Sequence, residues 1–267
     1  VEVRAARAVI IAGGAFETPR LLLRNGIGGD NVGRYLTYHY QTFTVGIFDT
    51  DTGGDRGRSV THLHDDLMID TPELRVAAKE AGLPWLRGGT TEHGSGRGPI
   101  GEAGTYGRGK HHLPSMQDSA LRRRIWAFTM QGEDLPQATN RIDLDPSIKD
   151  AWGFPSGRAT YKPHRHELVA SKYSTVIHEA VMREAGAQAA FSATSPRGEE
   201  APDSKHVMGT ARMGIDPSTS VVTPAQNVWG IDNLFVCDSS VFVTSAGYNP
   251  TLTLVALAHR AATLMAG

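Results

Sequence analysis

Apolar residues first gather in the short β-branched run Val9-Ile10-Ile11, which predicts a buried strand. The run stops at Ala12-Gly13-Gly14, and a helix is expected from about Thr18-Pro19, with Thr as cap and Pro at the first helical position. Leu21-Leu22-Leu23 supplies its apolar face and Gly26 suits the C-terminal cap. From Asn31 to Asp203 the texture changes to short alternating segments: Thr42 to Phe48, Arg141 to Leu144 and Ala159 to Lys162 read as antiparallel strands. Pro72 to Ala81 reads as a short helix. Leu168 to Gly186 reads as a longer one, with Val169, Tyr173, Val176, Ile177, Ala180 and Val181 on one stripe. Gly88 to His112 shows little periodicity and is expected to be irregular loop. Beyond Pro202 the α/β texture returns. Leu234 to Cys237 reads as a buried strand ending in Asp238-Ser239-Ser240. Asn249-Pro250, as cap and first helical residue, opens a helix to about Met265. Two outer α/β pieces thus bracket an inserted, mostly antiparallel region.

Composition narrows the function classes. Among 267 residues, 27 basic and 28 acidic side chains give a net charge of -1. Bulk electrostatics are therefore no route to nucleic acid or an anionic membrane. No apolar run approaches the roughly 20 residues of a membrane span. The lone Cys237 makes no intrachain disulfide and no cysteine-clustered metal site. Compartment is left open. A parallel strand at Val9 needs neighbours, and nothing before it supplies them; with Val1 in place of Met, this raises the expectation of the C-terminal half of a longer assembly.

Three segments carry chemistry. In His206-Val207-Met208-Gly209-Thr210-Ala211-Arg212-Met213-Gly214, an imidazole is the side chain whose ordinary pKa lies nearest neutrality, so His206 can take a proton from an alcohol. The glycines let backbone approach a flat cofactor closely. Asp238, at a strand end, suits sugar or ribityl hydroxyls. A helix start at Asn249-Pro250-Thr251 presents unpaired N–H groups and a partial positive charge. The third segment is Gly14 to Gly28, a glycine turn followed by a helix.

Together these segments, in this order, resemble the glucose-methanol-choline (GMC) oxidoreductases, with Asn25 standing where the family usually has Ser. The resemblance implies an α/β plus α+β fold: the C-terminal part of a Rossmann-like FAD-binding domain with an inserted antiparallel-sheet substrate domain. Residues 1–30 and 204–267 would form the FAD-binding segments and 31–203 the substrate domain. It implies FAD as cofactor, contacted by Ala12, Gly13, Gly14, Thr18, Asp238, Ser239, Asn249, Pro250 and Thr251. His206 and Asn249 are then the catalytic pair acting on a CH–OH group, with hydride passing to flavin N5. The His-then-Asn pairing resembles the branch of pyranose oxidases and bacterial sugar or glycoside oxidoreductases. The expected partners are a sugar, glycoside or polyol, an electron acceptor such as oxygen or a quinone, and a polypeptide with the Gly-x-Gly-x-x-Gly half of the FAD site. Gly94 to Gly109 follows no strand and opens no helix, so it does not substitute for that motif. A lyase using FAD without redox chemistry and a non-catalytic half-chain are the rival readings.

His62/His64, His111/His112 and His164/His166 lack the spacing of a metal site. Arg122-Arg123-Arg124 reads as a solvated basic face, and Trp85, Trp126 and Trp152 as buried residues of the inserted region.

Overall fold

A computed structural model describes residues 4–54, 56, 60–95, 98–106, 109–117, 119–195, 202 and 204–266. The expected boundary residue Asp203, Val1 and parts of the Gly94–Gly109 stretch lie outside them. The chain forms two compact units, Val1–His39 with Asp134–His164 and Gly198–Gly267, and Tyr40–Glu133 with Arg165–Arg197. The stretch 134–164, read as part of the inserted region, clusters with the first unit.

In the first unit, β1 (Val9–Ile11) pairs in parallel with the strand Leu234–Val236, in the register Val9 to Leu234 through Ile11 to Val236. The strand is present but not buried: Val9 and Ile10 are 46% and 55% exposed. Among the described residues Leu234–Val236 is its one strand neighbour, and such edge pairing covers backbone groups, not the side chains that project from the two faces. Helix α1 (Gly14–Arg24) starts four residues before Thr18, with Gly13 as cap. Gly26, at φ +64°, then closes it: the N–H groups of Gly26 and Ile27 reach the carbonyls of Leu23 and Leu22. That is the paired C-terminal bonding a left-handed glycine permits. The core of the unit is aliphatic, built on Leu22, Val221, Val222, Val228, Val236 and Val241.

The second unit is a five-stranded antiparallel sheet. Its strands are β2 (Tyr40–Ile47), β3 (Val60–His64), β4 (Gly89–Ser95), β5 (Ile125–Gly132) and the strand Ala189–Ser195, in the order β3-β4-β5-β2 and then Ala189–Ser195. Along β2, buried and half-buried residues alternate, as a strand with one face packed requires. Helix α2 (Pro72–Glu80) begins at Thr71, whose side chain accepts the Leu74 N–H. Three short helices follow: α3 (Pro99–Tyr106), α4 (His112–Gln117) and α5 (Ala120–Arg123). The loop expected over Gly88 to His112 is thus largely a strand and a helix. Glycine hides the strand from a side-chain pattern: a Cβ on Gly89 would fall 1.9 Å from the Gln131 carbonyl oxygen, so the neighbouring backbone demands a residue without one.

Two further strands, β6 (Arg141–Lys149) and β7 (Pro155–Thr160), form an antiparallel ribbon in the first unit. Helix α6 (Arg165–Glu184) lies in the second unit and β8 is its strand Ala189–Ser195. The chain ends in β9 (Leu234–Val236) and α7 (Thr251–Ala266) of the first unit. Among the described residues no helix is long and apolar enough to cross a membrane.

Candidate active site

The turn after β1 and the turn after β9 are clasped together by one carboxylate. Asp238 accepts the Gly14 N–H at 3.0 Å and the Thr18 hydroxyl at 2.5 Å on one oxygen, and the Ser240 N–H at 2.8 Å on the other. Thr18 in turn accepts the Gly13 N–H at 3.1 Å. Thr18 therefore ties the loop to the carboxylate from inside the helix and does not cap it. Ala12 and Gly13 are exposed and Ser239 is half-buried, its carbonyl accepting the Gly209 N–H at 3.1 Å. The half-buried neighbour Cys237 keeps its proton more firmly than usual, through burial first and the Asp238 charge second.

The His206 segment runs beside this clasp. Alternate amides, those of Gly209, Ala211 and Met213, donate to the carbonyls of Ser239, Ser240 and Val241. Gly209 (φ +78°) could bear no side chain, since a Cβ would lie 2.1 Å from the Tyr35 carbonyl oxygen. Thr210 also takes a left-handed conformation, at φ +80°, which is costly for a β-branched residue. Its buried hydroxyl donates to the Ala15 carbonyl at 2.9 Å. That carbonyl would ordinarily accept from residue 19, but Pro19 has no N–H to give. Thr210 thus supplies the bond that α1 lacks.

On the other side, Thr37 and Met208 exchange both backbone hydrogen bonds, at 3.0 and 2.9 Å, in an antiparallel bridge. Two residues further along each segment, the half-buried His206 meets the fully buried His39, Nδ1 to Nδ1 at 3.0 Å. His39 has no counterpart among the sequence-derived candidates. Only the register of the bridge brings it to His206, so no local pattern marks it. Tyr38, next in the chain, is held out of proton chemistry: burial, then the Asp134 charge, pushes its phenol up to about 12.

Asn249 and Thr251 are exposed and Pro250 is buried at the start of α7, which begins one residue later than expected. The first helical bond is from Leu254 to Pro250, so the amides of Thr251, Leu252 and Thr253 lie outside the helix's own ladder. With Leu252 82% exposed, this start is an open set of donors that fits an electron-rich edge of an FAD ring system. Asp238 fits less directly, because three protein donors already occupy its oxygens.

Several weaker expectations are corrected. Arg122 is buried, 2.9 Å from Glu102 and bonded to the Ser115 carbonyl, because a charge taken from water needs a partner. Trp152 and Trp85 are exposed, at 80% and 43%, and Trp126 is half-buried. Among the described residues no group of three His, Cys, Asp or Glu side chains is placed to hold a metal.

A parallel strand pair, a glycine turn into a helix and a histidine pair with one ring fully buried stand together in a mixed α/β fold. Residues 136–258 match the GMC oxidoreductase family model, and the chain belongs to that family, of which it carries the C-terminal region. It is 30% identical over 275 residues to paromamine 6'-oxidase of Streptomyces fradiae, covering 98% of this chain and 46% of that protein. It is 29% identical over 266 residues to 2-methyl-1,2-propanediol dehydrogenase of Mycolicibacterium austroafricanum, covering 96% of this chain and 47% of that one. A third relative, C-glycoside 3-oxidase of Arthrobacter globiformis, is 29% identical over 263 residues, or 96% of this chain and 46% of the enzyme. The solved structure of a formate oxidase superposes with a TM-score of 0.65 at 16% identity, over 98% of this chain and 54% of that one. The chain spans about half the length of these relatives. The cofactor of the family is FAD.

Proposed function

We propose that this region serves the oxidation of a CH–OH group, in a sugar, glycoside or polyol, with His206 as the base for the hydroxyl proton. FAD, when bound, accepts the hydride. The observation that carries the reading is the half-buried imidazole of His206, held at its Nδ1 by His39 within the family's histidine segment. Asn249 would hold the substrate oxygen and fix its orientation. The exposed start of α7, at Asn249, Pro250 and Thr251, would hold the electron-rich edge of the cofactor. Ala12, Gly13 and Gly14 would pass close to it, with Asp238, Thr18 and Ser239 keeping that turn in place. Relatives named for paromamine, a propanediol and C-glycosides support the substrate class.

On the same reading, residues 1–30 and 204–267 are segments of a Rossmann-like FAD-binding domain and 31–203 the insertion, whose substrate-binding domain is the unit Tyr40–Glu133 with Arg165–Arg197. A polypeptide with the Gly-x-Gly-x-x-Gly half completes it, and oxygen, a quinone or another acceptor reoxidises the flavin. In the FAD-loaded, full-length protein, His206→Ala is expected to slow anaerobic bleaching of the flavin by alcohol substrate by about 10²- to 10⁴-fold. Bleaching at the original rate in that variant would sink the assignment.

A further inference from the structure

His39 is placed to decide which nitrogen of His206 carries the proton. The bridge between Thr37 and Met208 is antiparallel, so a step of two residues forward from Thr37 and back from Met208 lands on a facing pair. That pair is His39 and His206, with ring centroids 5.0 Å apart and planes crossing at 80°. The second nitrogen of His39, Nε2, lies 3.3 Å from the Ser245 carbonyl oxygen. Ser245 is itself fixed: its hydroxyl accepts the Asp134 N–H at 2.9 Å and donates to the Asp134 carbonyl at 3.3 Å.

The tautomers follow from what each atom can do. A carbonyl oxygen only accepts, so Nε2 of His39 carries the hydrogen. In a neutral ring Nδ1 of His39 is then a lone pair. Of the two facing Nδ1 atoms, His206 must therefore be the donor, and the basic lone pair of its neutral ring sits on Nε2. The bond survives the proton transfer as well. When Nε2 of His206 takes a hydroxyl proton, Nδ1 keeps its hydrogen and still points at the His39 lone pair.

We infer that His39 is a positioning residue, which, through Ser245, locks His206 as an Nε2 base. This deepens the reading of His206 as the base and rests on it. Its loss should reduce the rate of flavin reduction more than it raises KM, because the base is present but its lone pair is divided between two nitrogens.

The test uses the FAD-loaded, full-length protein with ¹⁵N-labelled histidine. Two-bond proton–nitrogen correlations should show His206 protonated at Nδ1 and His39 at Nε2. In His39→Phe, which fills the space without a lone pair, the His206 signals should shift toward the other tautomer. Flavin reduction should fall roughly ten-fold or more with KM little changed. His39→Gln, whose carbonyl oxygen can accept from His206, should recover much of the rate. A purely space-filling role would give the opposite order, Phe better than Gln. His206 protonated at Nε2 in the unaltered protein would overturn the proposal, even should the Phe variant fail to fold. So would wild-type spectrum and rate in His39→Phe. If His206→Ala reduces flavin normally, the base reading fails instead, while the nitrogen assignments are decided separately.

Discussion

Thr210 does two things at once: it accepts an unfavourable backbone conformation, and its hydroxyl repairs a gap that Pro19 leaves in α1. Thr210→Val keeps the shape and removes the donor, so the buried Ala15 carbonyl loses its partner. The expected cost is about 1–3 kcal/mol in chemical unfolding. The decisive measurement is a double-mutant cycle with Pro19→Ala, which restores an N–H at the position where the helix needs one. In that background the Thr210→Val penalty should shrink clearly, and strict additivity would refute the account. His206, Thr18 and Asp238 were legible in the sequence because each sits in a local segment of recognisable chemistry. The compensation between residues 19 and 210, like the pairing of residues 39 and 206, was not. Each joins points far apart in the chain, and only the folded register creates it.

Among elements, β4 and its neighbours carry a feature that bears on pH. His64 and His93, on paired strands, lie 2.5 Å apart, and His178 of α6 packs against the His64 and Phe128 rings. His178 is almost wholly buried, and its pKa is lowered to about 4, by burial first and then by the neighbouring imidazoles. His64 and His93 are lowered too, burial again being the main cause. With the folded value below the unfolded one, near 6.5, the unfolded chain binds the extra proton between about pH 6.5 and pH 4. Stability supplied by neutral His178 is therefore present above pH 6.5 and lost as pH falls through that window. Between pH 7 and pH 5 the loss is on the order of 2 kcal/mol. The urea midpoint should drop over this range, and His178→Phe should flatten the drop; an unchanged slope would remove His178 from the account. The sequence showed the extent of α6 but not its packed face: Val176 and Val181 of the expected stripe are exposed, while Ala170, Ser171, Ser174, His178 and Met182 are buried. It concealed β4, because glycines at close backbone approaches leave no side-chain alternation to read.

At the scale of the whole molecule, the first unit leaves apolar surface in contact with water. Val9 and Ile10 of β1 are largely exposed, and so are Leu252, Val255 and Leu264 of α7, at 82%, 59% and 51%. β1 also has β9 as its only strand neighbour among the described residues, leaving a backbone edge open to another strand. An apolar strand with an open edge and an apolar helix with exposed leucines fit a surface that the Gly-x-Gly-x-x-Gly half is proposed to cover. A charge placed there separates folding from assembly. Ile10→Lys touches an exposed position, so in this chain alone it should change stability by no more than about 0.5 kcal/mol. In the full-length protein the same lysine would have to be buried beside a strand without a partner, at a cost of several kcal/mol. Flavin content after purification, read from absorbance, should then fall sharply, while thermal unfolding of the isolated chain stays where it was. Full flavin loading in Ile10→Lys would show that the edge of β1 remains in water in the complete protein, and the proposed covering of this face would have to be abandoned.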